Sequence, residues 1–228
     1  VKEADMNLSL GTEIFNLLKK DKRFDVQITR NREGYIPLFD NYFIQQEKEI
    51  TSFKHKAREL IEEKVLGGLF VKKDGVPHVA VKSYMSNVLY GINKWSNENN
   101  IDLILHIHFN DYPRKNAWTK GTYKGFSIYV PEKQMENSTE SILLGKSIHK
   151  ELLKKYATST YEKEVGGLIE DQSLIALGAN GTLASSVRAV LVEYGYIYRF
   201  GNSNFRSKAY KNMANLTVVG IKNYFFPE

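Results

Sequence analysis

Cysteine is absent from the chain. That excludes disulfide staples and thiolate metal ligation, and leaves His, Asp and Glu as the metal-binding side chains. Long apolar runs are missing too: no stretch approaches the ~18 consecutive apolar residues that a membrane-spanning helix needs. No Gly-x-Ser-x-Gly turn occurs, which together with the lack of cysteine removes the common Ser and Cys nucleophiles. Internal repeats and low-complexity tracts are also absent. No basic-then-apolar leader opens the sequence, so the expectation is that any signal peptide was removed or lies outside it.

What remains is the composition of a folded α/β domain. Of 228 residues 42% are hydrophobic and 25% charged, enough to bury a core without staples. The formal charge of +6 would favour a polyanionic partner. The cations are scattered, however, and lack the aromatic interleaving of a single-strand binder, so nucleic acid is not the expected partner.

Residues 3 to 20 place Met6, Leu10, Ile14, Leu17 and Leu18 at helical spacing. FDVQIT, residues 24 to 29, alternates like a strand. Between residues 31 and 82 the pattern turns charged and aromatic. It holds a predicted helix over 50–64 and a hairpin signal at KKDG, residues 72 to 75, and is expected to be an insertion or lid. His55 and His78 within it are expected to be exposed. A helix over 83–99 precedes IDLILHIH, residues 101 to 108, whose nearly continuous apolar run suits a central strand. Further strands are expected at 125–130 and 189–193, with helices at 141–156 and 206–226. This alternation predicts a three-layer α/β sandwich: a mostly parallel central sheet flanked by helices, forming a single domain over residues 1–228.

Chemistry in such folds gathers at the carboxyl ends of the strands. Two strand ends here carry metal-competent groups. His106 and His108 point to one side of their strand, and neutral imidazole is a standard zinc ligand. Glu193 follows four apolar residues, where a carboxylate is costly unless it is paired, metal-bound or held for proton transfer. A salt bridge to Arg188 or Arg199 is the structural alternative. Glu3, at the start of the first helix, reads on its own as a carboxylate favoured by the helix dipole.

Four segments in order resemble one family. Glu3-Ala-Asp-Met-Asn-Leu with the strand ending Thr29-Arg30, Ile107-His108-Phe109-Asn110, Gly125-Phe-Ser-Ile-Tyr-Val, and Leu191-Val192-Glu193-Tyr194-Gly195-Tyr196-Ile197 are similar to segments of the amidase_3 class of N-acetylmuramoyl-L-alanine amidases. The resemblance covers most of the chain outside 31–82. It implies a Zn²⁺-dependent hydrolase of peptidoglycan acting outside the cytoplasm, with Glu3 and His108 as metal ligands and Glu193 as the catalytic carboxylate. Asn110 would shape the pocket beside the metal. His106 stands where the family carries serine, as a neighbour of the site or a substitute ligand. Members open with a strand leading to Gly-His-Gly-Gly, whose histidine is the first ligand; nothing here corresponds, and the expectation is that this strand lies upstream of Val1. Some relatives carry an inhibitory helix in the region of the insertion, which would give Glu59, Glu62 and Glu63 a role in masking the metal until an activator protein displaces them. The competing function is a non-catalytic peptidoglycan-binding or regulatory module with a degenerate metal site.

Overall fold

The computed structural model describes residues 2–111, 114–116 and 119–227. Helix α1 (Glu3–Lys19) buries Met6, Leu10, Ile14 and Leu18, the i, i+4, i+8 stripe seen in the sequence. It packs on α6 (Ser203–Phe225) and on strand β1 (Leu103–Asn110). Asn202 caps α6, its side chain accepting a hydrogen bond from the Phe205 amide.

Four strands form the sheet, in the order β1-β4-β2-β3, with β4 at Arg188–Tyr196, β2 at Ser127–Pro131 and β3 at Leu168–Asp171. Strand β1 runs parallel to β4, and β2 parallel to β3, while β2 and β4 are antiparallel. The mostly parallel sheet with flanking helices is as expected. Period-two alternation divides β4 between two cores. Val190, Val192 and Tyr194 face α1, α6 and α5 (Ser138–Leu152), whereas Ala189 and Leu191 face a second cluster with Tyr129, Leu177, Leu183 and Val187. Glu193 belongs to the second face by the same alternation, as do His106 and His108 on β1.

Strand β2 begins at a position only glycine fits. Gly125 has φ +93°, and a Cβ there would lie 2.1 Å from the Thr158 carbonyl oxygen. The close approach lets Phe126 bridge Thr158 and sets β2 in register, with Ser127 opposite Glu193. Gly220 likewise seats α6 against the backbone of Ile148 on α5.

Two sequence expectations need correction. Residues 24–28 form no ladder; the sole β contact in the neighbourhood, among described residues, is an isolated bridge between Arg30 and Tyr35. Strand-like alternation is present there, but no ladder forms on it among the described residues. The KKDG segment is not a hairpin. It belongs to a strap over residues 69–82 whose backbone is satisfied by side chains: the Gln134 carbonyl accepts from the Val71 amide, and the Gln172 carbonyl from the Lys73 amide. His78 is exposed, as expected, and its Nε2 lies 2.9 Å from Oδ2 of the buried Asp171. The insertion also contains α2 (Pro37–Gln45), unforeseen in the sequence, and α3 (Glu47–Leu66), longer than expected. Both pack toward α4 (Ser83–Glu98).

Candidate active site at the ends of β1 and β4

Glu3 and His108 lie 105 residues apart and meet at the carboxyl end of β1. The first turn of α1 sets Glu3 beside the strand end, where its Oε1 accepts from Asn7 Nδ2 at 3.1 Å and from the Phe109 amide at 3.4 Å. His108 Nδ1 lies 3.0 Å from the same oxygen. Burial works against both charges. It tends to raise the Glu3 carboxyl, but the His108 hydrogen bond and charge, with help from Asn7 and Phe109, hold it below its ordinary value. It tends to lower His108, yet Glu3 and Glu193 hold that imidazole above its ordinary value.

Glu193 stands on β4 directly across from His108. Neither arginine that was its alternative partner reaches it. Arg188 turns to Tyr224 and Asp102, and Arg199 braces the carbonyls of Gly121, Thr122 and Tyr123. Its Oε2 is shut off from solvent and has no hydrogen-bond partner among the described residues. Burial is the main reason that the carboxyl is pushed up to about 8; the His108 charge opposes this, and Glu3 and Glu164 reinforce it. An acid with such a value holds its proton near neutrality and is poised for transfer.

His106 lies on the same face of β1 as His108. Its imidazole hydrogen-bonds the Ala176 backbone, and burial brings its pKa down to about 3, with the neighbouring His108 charge adding to the effect. Its Nε2 is buried and unpartnered among the described residues, and no hydrogen bond links it to Glu3. Asn110 closes β1, with Nδ2 donating to Glu164 at 3.2 Å. Glu164 was not singled out from the sequence, where it reads as one charge of a solvated run, YEKE. It is 1% exposed.

The insertion carboxylates do not join this site. Glu59, Glu62 and Glu63 are exposed on α3, and none is hydrogen-bonded or ion-paired to Glu3, His108 or Glu193 among the described residues. The face that α3 buries, through Ile50 and Ala57, points to α4, so its carboxylates are left toward solvent.

Whether a metal suits these residues follows from the donor set. One imidazole nitrogen and one carboxylate oxygen, here sharing a hydrogen bond at 3.0 Å, would have to part to roughly 3.4 Å as two ligands of a tetrahedral zinc bound at about 2.1 Å. The pair fits in kind. No cluster of three His, Asp or Glu side chains able to hold a metal occurs among the described residues. Beside the pair, β1 is the last strand of the sheet, and its outer edge borders a slot of about 1380 Å³. Residues 24–30 form the far wall, with Ile14 and Leu18 of α1 on one side and Ile92 and Trp95 of α4 on the other. Both His106 and His108 line it.

Comparisons with known proteins bear on this geometry. The family model described as Amidase_3, N-acetylmuramoyl-L-alanine amidase, matches residues 1–223. No curated protein matches the chain. Among solved structures, the fold is similar to that of the CwlD amidase from Clostridioides difficile in complex with the GerS lipoprotein. That likeness has 14% identity and a TM-score of 0.60, over 100% of this chain and 88% of that one. An N-acetylmuramoyl-L-alanine amidase from Clostridium difficile 630 is similar at 16% identity and a TM-score of 0.58, covering 100% and 86%. The catalytic domain of CwlV from Bacillus (Paenibacillus) polymyxa var. colistinus follows at 13% identity and 0.57, covering 99% and 86%. At these identities the likeness is one of fold.

Proposed function

The chain belongs to the Amidase_3 family of N-acetylmuramoyl-L-alanine amidases, and from that premise we propose that it hydrolyses the amide joining N-acetylmuramic acid to L-alanine in peptidoglycan, with zinc as cofactor. The observation that carries the proposal is the meeting of Glu3 and His108 at 3.0 Å with Glu193 opposite His108 on the next strand. A structural carboxylate on β4 would have been given a partner; Glu193 Oε2 has none among the described residues.

Glu3 Oε1 and the imidazole of His108 would hold the ion, the Asn7 and Phe109 donors fixing the carboxylate's orientation. A zinc ion bound there supplies Lewis acidity, lowering the pKa of water and polarising the amide carbonyl. The positive charge of a bound ion would favour the ionised form of Glu193, which would then take the proton of the attacking water and deliver it to the departing L-alanine nitrogen. Its burial favours that second transfer, because a carboxyl pushed up to about 8 and an amine exchange protons with little driving force either way. By the family resemblance, Asn110 would shape the pocket beside the metal. We take residues 1–228 as one catalytic domain, with the insertion over 31–82 as a wall that a partner protein can address, acting outside the cytoplasm on the cell wall.

One observation favours a second reading. With no three-ligand group among the described residues, a wall-binding module that keeps the fold without turnover is the competing function. Release of stem peptide from purified peptidoglycan, measured with zinc added and with chelator, separates the two. Zinc-dependent release that Glu193→Gln abolishes supports the hydrolase. Retention on peptidoglycan with no release under either condition supports the module.

A further inference from the structure

Behind the Glu3, His108 and Glu193 constellation lies a second carboxylate. Glu164 sits on a single 3-10 turn, Glu162–Glu164, and is 1% exposed. Its Oε1 accepts from the Tyr129 hydroxyl at 2.6 Å and from Asn110 Nδ2 at 3.2 Å, and its Oε2 from the Tyr196 hydroxyl at 3.2 Å. Tyr196 is held in turn by Ser159, 3.0 Å from hydroxyl to Oγ. No Lys, Arg or His forms an ion pair with Glu164 among the described residues.

A carboxylate removed from water and answered only by neutral donors is a poor way to stabilise a fold; an apolar side chain of similar size would do so at less cost. Its three donors share a property. Asn110 ends β1 two residues beyond His108, Tyr196 ends β4 three beyond Glu193, and Tyr129 lies on β2 two beyond Ser127, the residue opposite Glu193. In register, Asn110 and Tyr196 are themselves partners, just past a break in the β1–β4 ladder between His108 and Asn110. At that break the register shifts, and beyond it Glu164 accepts from both members of the Asn110–Tyr196 pair.

We infer that Glu164 is a positioning residue for the hydrolysis: by gathering Asn110, Tyr129 and Tyr196 on one carboxylate it fixes the end of β1, which carries His108, against the end of β4, which carries Glu193. The inference rests on the hydrolase reading. Glu164 itself touches none of the three proposed reacting groups, so it acts through Asn110. An amide at position 164 cannot accept on both of its head-group atoms and so must release at least one donor. Strand ends displaced by even part of an ångström move His108 and Glu193 relative to one another, which is felt at the transition state more than in ground-state binding.

The test uses the full chain supplemented with zinc and a soluble muropeptide, comparing wild type, Glu164→Gln, Asn110→Ala and the double variant. Expected for Glu164→Gln is a fall in kcat of about ten- to a hundredfold, with KM within about threefold and an unchanged zinc content. Because Glu164 works through Asn110, the double variant should be no slower than the slower single one. Wild-type kcat in Glu164→Gln overturns the inference, and so do losses that multiply in the double variant. If Glu164→Gln does not fold, Asn110→Ala decides: a wild-type kcat there overturns the inference, and a loss confined to kcat upholds it. Absence of turnover by the wild-type chain is a separate result, which sinks the hydrolase reading itself and this positioning role with it.

Discussion

Replacing Glu193 by Gln should make the metal-free protein more stable in alkaline solution while leaving it unchanged in acid. In the folded chain the Glu193 carboxyl is pushed up to about 8 by burial, against an ordinary value of 4.5. Below pH 4.5 both folded and unfolded chains hold the proton, and this group makes stability independent of pH. Between 4.5 and 8 the unfolded chain releases it while the folded chain keeps it, so stability falls as pH rises; above 8 both are ionised and the loss is complete. At 1.36 kcal/mol for each pH unit the accumulated loss is about 3–5 kcal/mol. Glutamine has the same shape and no proton to lose, so its stability lacks this slope. The assay is urea unfolding followed by circular dichroism, in the presence of chelator, from pH 5 to pH 8.5. Wild type and variant should agree within about 1 kcal/mol at pH 5 and separate by about 3–5 kcal/mol at pH 8.5. Two curves that remain parallel across the range would refute the picture of a protonated, buried Glu193.

Further outcomes follow from other contacts. His108→Ala should remove one member of the ligand pair and lower zinc content by at least tenfold at equal free metal, measured by atomic absorption after dialysis; a fully loaded variant contradicts the ligand assignment. Chelation of the wild-type protein should lower both its turnover and its melting temperature, with zinc restoring both; a melting temperature indifferent to metal contradicts selective binding of zinc by the folded chain. Gly220→Ala would put a Cβ 2.6 Å from the Ile148 Cα, forcing α5 and α6 apart at a cost of about 1–3 kcal/mol, or roughly 2–10 °C in melting temperature; calorimetry that finds no change would show that the helices can yield freely. Lys73→Met deletes the ion pair to the buried Glu132, 2.5 Å long. It should speed proteolysis within residues 69–82 several-fold without altering the melting of the core, and uniform cleavage elsewhere would show that the strap is no separate unit.

How much of this was legible in the sequence depends on how far apart the cooperating residues lie. The stripe of Met6, Leu10, Ile14 and Leu18 is local, and it gave α1 almost to the residue. The run at 101–108 and the acid after AVLV are local too, and they mark β1 and β4. Strand β3, only Leu168–Asp171, is too short to show a period. Glu164 was invisible for a different reason. Its meaning comes from Asn110, Tyr129 and Tyr196, 54, 35 and 32 positions away, and without them it is one more charge in a polar loop. The strap failed likewise, since its backbone is answered by Gln134 and Gln172, at separations of 63 and 99. Residues 24–28 show the opposite case: the alternation of a strand is present, and the ladder that would make it one is not.

The sharing of β4 between two apolar clusters also has a consequence for assembly. Val190, Val192 and Tyr194 serve one cluster, and Ala189 and Leu191 the other. A shift of the strand by a single position would exchange every side chain between the faces and bring Glu193 into the apolar one. Inserting or deleting one residue within Arg188–Tyr196 is therefore a far graver change than swapping any one of its side chains for another of similar size.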